Sequence, residues 1–189
     1  MNTSTPHRSS ELFRRQSSRL LLIDLQERLV PVIPDREALL SRCRMLAQGA
    51  QTLGIPIHAT EQYPKGLGTT LPEIAEFVSN RPEKVRFSCT DCLGWNPPGP
   101  EDRFQIVVAG IEAHVCVQQT VLDLLSLGYQ VQVAVDAVSA RSELDKQVAF
   151  RRMELSGATI TTTEAVLFEW CEAAGTPEFK AISKLVTGR

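Results

Sequence analysis

Three residues far apart in the chain carry groups that together could perform covalent catalysis: Asp24, Lys84 and Cys116. Cys116 lies in V-V-A-G-I-E-A-H-V-C-V-Q-Q-T (Val107 to Thr120), where a strand-like run passes through a glycine into a helix-like segment. A thiol at a helix start meets free N–H groups and the positive end of the dipole, which favour thiolate and can hold a developing oxyanion. Asp24 closes the apolar run L-L-L-I-D, and Lys84 opens K-V-R-F. An ammonium favours the thiolate, and a carboxylate can take the thiol proton and later activate water. Each residue also has a plain structural reading. Cys116 fits a buried strand–helix corner, Asp24 fits a salt bridge or the cap of a turn, and Lys84 fits a solvated surface.

The elements that must position these groups follow from periodicity. Short apolar runs at Leu20 to Asp24, Ile55 to Thr60, Lys84 to Phe87, Phe104 to Ala109, Gln130 to Val135 and Ala158 to Thr162 read as six strands. Between and after them, helices are expected at Asp35 to Leu53 (Asp35 as N-cap), Pro72 to Ser79, Val115 to Leu127, Ser142 to Ser156 (Ser142 as N-cap), Thr163 to Ala174 and Pro177 to Val186. Glu61 to Thr70, rich in Gly and Pro, reads as a loop, and Ser88 to Pro100 as a loop or broken helix whose prolines cannot sustain a helix. Strands alternating with helices imply a three-layer α/β/α sandwich around a mainly parallel six-stranded sheet, whose ligands bind outside the carboxyl ends of the strands. All three reactive groups fall at or near strand ends.

The 189 residues suit one domain. We expect residues 1–19, Ser- and Arg-rich with Glu11 as the single acid, to be a flexible tail, and 20–189 to be the domain. With 20 basic and 22 acidic residues there is no general basic field, so a small-molecule substrate is expected and nucleic acid is not. Five cysteines without disulfide spacing and no secretory signal point to a reducing, cytoplasmic setting. No apolar run approaches the roughly 20 residues of a membrane span.

The chain resembles the isochorismatase-like cysteine hydrolase superfamily, and within it the isochorismatase domain-containing group. The resemblance runs from Leu20 to Val186. Its carriers are L-L-L-I-D-L-Q-E-R-L (Leu20 to Leu29), H-A-T-E-Q-Y-P-K-G-L-G (His58 to Gly68), E-K-V-R-F-S (Glu83 to Ser88), G-I-E-A-H-V-C-V-Q-Q-T (Gly110 to Thr120) and D-A-V-S-A-R-S (Asp136 to Ser142). It implies strand order 3-2-1-4-5-6, an Asp24–Lys84–Cys116 triad, a cis peptide at Ile111–Glu112, and an oxyanion hole from the N–H groups of Glu112 and Cys116. It also implies hydrolysis of a small amide-like C–N substrate through a thioester. Ala113 stands where the superfamily often has threonine. Nicotinamidases of this superfamily bind metal through Asp-x-His and further histidines after strand two. Here that place reads A-T-E-Q-Y-P-K-G with only His58 nearby, so no metal and no cofactor are expected.

Around the triad, Gln26, Tyr63, Phe87 and Trp95 are candidate substrate contacts, with aromatic packing as the other reading of the last three. His114 should point away from Cys116. Arg141 and Asp136 read as a structural ion pair or an oligomer contact. C-T-D-C (Cys89 and Cys92) lacks the second pair a zinc site needs. The apolar helices from Thr163 onward suggest a homo-oligomer surface. Two other classes stand beside the hydrolase: a non-catalytic scaffold of the same fold, and a redox-responsive protein using Cys89, Cys92 and Cys116.

Overall fold

The computed structural model describes residues 8–99 and 101–188. Six strands, β1 (Ser18–Ile23), β2 (Ile57–Gln62), β3 (Glu83–Lys84), β4 (Gln105–Ile111), β5 (Gln130–Ser139) and β6 (Thr159–Thr161), form one sheet in the order β3-β2-β1-β4-β5-β6. Every neighbouring pair is parallel. The central strands read as unbroken apolar runs because both faces of the sheet are covered. Successive side chains point to opposite faces, so Leu20 and Leu22 enter one core with Val107 and Ala109, while Leu21 and Ile23 enter the other with Ile106 and Val108.

Helices α1 (Arg36–Thr52), α7 (Thr163–Cys171) and α8 (Pro177–Thr187) cover the first face. Helices α5 (Gln118–Ser126) and α6 (Glu143–Leu155) cover the second. Single turns α2 (Pro64–Leu67), α3 (Pro72–Ala75) and α4 (Thr90–Leu93) lie in the connections flanking β3. Ser142 caps α6 as expected, its hydroxyl accepting from Asp145 N at 3.3 Å, whereas the Asp35 side chain makes no cap bond.

Three expectations change. Residues 8–17 are folded onto the body: Phe13 is buried, its N–H donates to Glu169 Oε2 at 2.9 Å, and Arg8 Nη2 donates to the Glu169 carbonyl at 2.6 Å. One aromatic and one arginine with fixed partners hold a polar segment that composition assigns to the tail; residues 1–7 lie outside the described part. The apolar residues after Thr163 are consumed within the chain, Val166, Leu167, Trp170 and Ile182 packing in the α1 core. Apart from Leu12 and Val32, the exposed large apolar residues among those described lie instead on α6, at Leu144, Val148 and Leu155, and beside β3, at Tyr63, Val85 and Phe87. Finally, β3 is only two residues long, because Val85 and Phe87 turn out to solvent.

Gly110 pairs with Ile23 across β1 and β4 at φ +119°, and a Cβ there would collide with the Ile23 backbone. Only glycine lets β4 run this close to the strand end that carries Asp24.

Candidate active site

Asp24 follows β1 in the left-handed region (φ 53°), a conformation that aspartate tolerates better than most residues. Its side chain is fully buried and fully engaged: Oδ1 accepts from Thr60 Oγ1 at 2.8 Å and Oδ2 accepts from Lys84 Nζ at 2.7 Å. Lys84 Nζ also donates to Gln62 Oε1 at 2.6 Å and to the Phe87 carbonyl at 2.9 Å. An ammonium has three N–H groups, and each has its own acceptor.

Cys116 sits 5 % exposed in a wide π-type turn, Ala113–Val117, between β4 and α5. Its carbonyl accepts from Thr120 Oγ1 at 2.7 Å, and Thr120 Oγ1 in turn accepts the N–H of Cys89 at 3.0 Å. The thiol donates to Gln62 Oε1 at 3.9 Å, and the Asp24 carboxylate lies near enough for its charge to act on the sulfur. The Ile111–Glu112 peptide that precedes the turn is cis. Arg141 N and Nε each donate to Glu112 Oε2 at 3.0 Å, tying the end of β5 to this turn.

The electrostatics differ from the expectation of an activated resting thiolate. Burial and then the Asp24 charge push the Cys116 thiol up, outweighing Lys84. Burial also raises Asp24, against the lowering pull of Lys84 and of its hydrogen bonds. For Lys84 burial pulls down, but Asp24, Cys89 and Cys116 outweigh it and the ammonium is held. The resting arrangement is therefore an ion pair beside a neutral thiol, with a carboxylate of raised basicity nearby that could serve as a general base.

The structure brings Asp24, Lys84 and Cys116 together and separates the other candidates. Gln26 is fully buried and is spent inside the protein: its Oε1 accepts from Gln62 N at 2.7 Å, and its Nε2 donates to the carbonyls of Gln62 at 3.0 Å and Gly68 at 2.6 Å. It anchors a neighbour and does not face a ligand. Tyr63 and Phe87 are on the surface flanking β3, 54 % and 49 % exposed. A cavity of about 310 Å³ beside them is lined by Tyr63, Pro64, Lys65, Glu83, Lys84 and Val85.

Trp95 lies elsewhere. Its ring meets His58 edge-on at 5.0 Å, carries Arg19 over its face at 4.9 Å, and lies 5.9 Å from Tyr129. Arg19 lies five residues before Asp24 along β1 and His58 pairs with Leu21, three residues before it, so this stack sits about 10–16 Å back along the strands, toward the amino end of the sheet. The α4 turn sends the chain back down the sheet, which proximity in sequence to Lys84 conceals. The larger cavity beside Trp95, about 650 Å³ and lined also by Thr90 and Asp123, contains none of the three reactive groups.

Within that stack, burial and then Arg19 lower His58 from 6.5 to about 4. Between these values the unfolded chain binds a proton that the folded one refuses, so stability present above pH 6.5 is lost as pH falls toward 4. Urea unfolding across that range should show this slope, and His58→Phe should flatten it.

His114 points to Asp145 of α6, Nε2 to Oδ2 4.0 Å, and away from the thiol. Arg141 and Asp136 do not pair with each other: Arg141 takes Glu112, while Asp136 meets Arg42 at 3.5 Å and accepts from Thr163 N at 2.8 Å. Glu61 is likewise occupied, accepting from Thr70 N, Thr70 Oγ1 and Arg81 Nε. Sequence reading missed Thr60 and Gln62, the residues that hold Asp24 and Lys84. The signal was the polar run T-E-Q at the carboxyl end of the strand, three residues that the structure buries.

An isochorismatase domain model matches residues 18–165. Isochorismatase domain-containing protein 2A of Mus musculus is 39% identical over 171 residues, covering 90% of this chain and 83% of that protein. A solved structure described as MAR1 ribonuclease from Caenorhabditis elegans is 39% identical with a TM-score of 0.82, over 92% of this chain and 91% of that one. The YcaC gene product of Escherichia coli, described as an octameric hydrolase of unknown specificity, shares the fold at 20% identity and TM-score 0.81, over 96% and 94% of the two chains.

Proposed function

This chain belongs to the isochorismatase domain family, and from that premise we propose that it is a cysteine hydrolase cleaving a small amide-like substrate through a thioester on Cys116. The observation that carries the reading is one buried carboxylate, Asp24, paired with the Lys84 ammonium at 2.7 Å and close enough to the Cys116 thiol for its charge to act on it. Asp24 takes the thiol proton as sulfur attacks the substrate carbonyl, and Lys84 stabilises the site's net charge while that proton is in transit. The oxyanion is received by the N–H groups of Glu112 and Cys116. Asp24 returns the proton to the departing amine, then takes one from the water that attacks the thioester, releasing the acid and restoring the thiol. Tyr63 and Phe87, flanking β3, receive the substrate's apolar part.

Incubation with a panel of small primary amides, read as ammonia released, tests this. Rapid quenching should show an acyl mass on the Cys116 peptide. Turnover without that adduct under burst conditions sinks the covalent route. An RNA oligonucleotide belongs in the same panel, because the nematode relative is described as a ribonuclease. RNA cleavage that disappears in Cys116→Ala would put a phosphodiester in place of the amide. Self-association is part of the proposal, after the octamer described for the Escherichia coli neighbour, and sedimentation of the full chain reads it directly.

A further inference from the structure

We propose that Gln62 is a positioning residue that keeps Cys116 in its protonated resting form, by engaging the Lys84 ammonium and by presenting an acceptor oxygen to the sulfur. The inference deepens the reading of Cys116 as the nucleophile and rests on it.

The donor count comes first. The three Lys84 N–H groups go to Asp24 Oδ2, Gln62 Oε1 and the Phe87 carbonyl, leaving none for the thiol. Of these acceptors, Gln62 is the one to which the Cys116 thiol itself donates, its Oε1 3.9 Å from Sγ. An oxygen lone pair there accommodates S–H and disfavours a sulfur anion, so this amide works against the thiolate from both sides.

The orientation of the amide is fixed by its partners. Nε2 donates to the Val85 carbonyl at 2.8 Å, so Oε1 must face Lys84; a flipped amide would set two donors and two acceptors against each other. The Gln62 backbone is fixed as well, because the Gln26 side chain binds both its N–H and its carbonyl as a neighbouring strand would. Gln26 therefore locks Gln62, and Gln62 locks the ammonium.

The other charged and titratable groups around Cys116 are Asp24 from β1, Lys84 from β3, and Cys89 from the segment before α4. In and beside its own turn, Glu112 is taken by Arg141, and His114 faces Asp145 of α6. None of these duplicates the Gln62 amide.

Two near-isosteric substitutions give opposite signs. Gln62→Met removes the acceptor, frees one N–H of Lys84 and takes an oxygen away from the sulfur, so the thiolate becomes easier to form. Gln62→Glu keeps the acceptor and adds a negative charge beside the sulfur, so the thiolate becomes harder to form. The measurement is the rate of Cys116 alkylation by iodoacetamide against pH in the full chain, resolved by peptide mass spectrometry, with Cys43 and Cys171 as internal references and a thermal melt of each variant.

At pH 7 the methionine variant should react about tenfold faster than the native chain, with its titration moved about one unit lower, and the glutamate variant several-fold slower. The reference cysteines should not change. Rates that rise in both variants would mean general loosening of the site and overturn the proposal, as would rates that change in neither. If Gln62→Met does not fold, the slowing in Gln62→Glu decides alone. The experiment needs no substrate: turnover that survives Cys116→Ala would remove the hydrolase reading, while the alkylation comparison would still decide the role of Gln62.

Discussion

Cys116→Ala should abolish hydrolysis of any amide the native chain turns over, lowering kcat by roughly 10⁴-fold or more, because no other nucleophile stands beside the Asp24 base. The nearest thiol, Cys89, is fully buried, and its Sγ faces Thr60 Oγ1 at 3.4 Å. Burial, followed by the Asp24 charge, raises its thiol as it does that of Cys116, so what excludes Cys89 is its complete burial. The substitution leaves the Asp24–Lys84 ion pair intact, with its remaining bonds from Thr60 and to Gln62 and Phe87. Folding should therefore be nearly unaffected, with a loss of about 1 kcal/mol for the missing sulfur. The pairing of lost turnover with a preserved melting transition is the diagnostic. A variant that keeps more than about one per cent of native kcat would end the thioester mechanism, since the oxyanion hole and substrate binding alone leave far less.

Lys84→Met should have the largest effect on stability. It leaves the Asp24 carboxylate buried without its counter-charge, and breaking a buried pair in this way costs roughly 3–5 kcal/mol. The deficit should depend on pH with a definite sign. In the variant the folded-state carboxyl rises further above its unfolded value, so the folded chain retains a proton that the unfolded chain releases. Stability of the variant is then greatest below the unfolded carboxylate value and falls as pH rises through the folded one. Its deficit against the native chain should accordingly shrink as pH is lowered toward 4. Combining it with Asp24→Asn removes the uncompensated charge and should recover most of the loss, because a neutral pair of similar volume can replace a buried ion pair at little net cost. Denaturant titrations of the two single variants and the double variant at two pH values measure this. Additive losses in the double variant would show that the two side chains act on folding independently, contrary to the 2.7 Å contact.

Much of the framework was legible in the residues. Six apolar runs marked six strands, although their ends moved: β2 continues through Gln62 and β5 through Ser139, both further than the apolar pattern reaches. The reason is that backbone pairing continues wherever a neighbouring strand offers partners, including past the last apolar side chain. Asp24, Lys84 and Cys116 were each visible as a misfit or a motif at a strand end. Their environment was not. Lys84 as a lone residue reads as solvated, yet its side chain is 3% exposed because Asp24, Gln62 and Phe87 converge on it from three segments. Trp95 read as a site residue from its closeness in sequence to Lys84, and the chain reversal at α4 placed it on the His58 stack.

The sequence by itself determined the class of fold and singled out Asp24, Lys84 and Cys116 as candidates, because hydrophobic periodicity and chemical type are local properties of the chain. The state of those groups was decided only by tertiary structure. Whether a thiol rests neutral or charged depends on burial and on which acceptors reach the ammonium first. Asp24, Gln62, Lys84 and Cys116 meet across separations of up to 60 residues and more, and their separate patterns carry no record of that meeting.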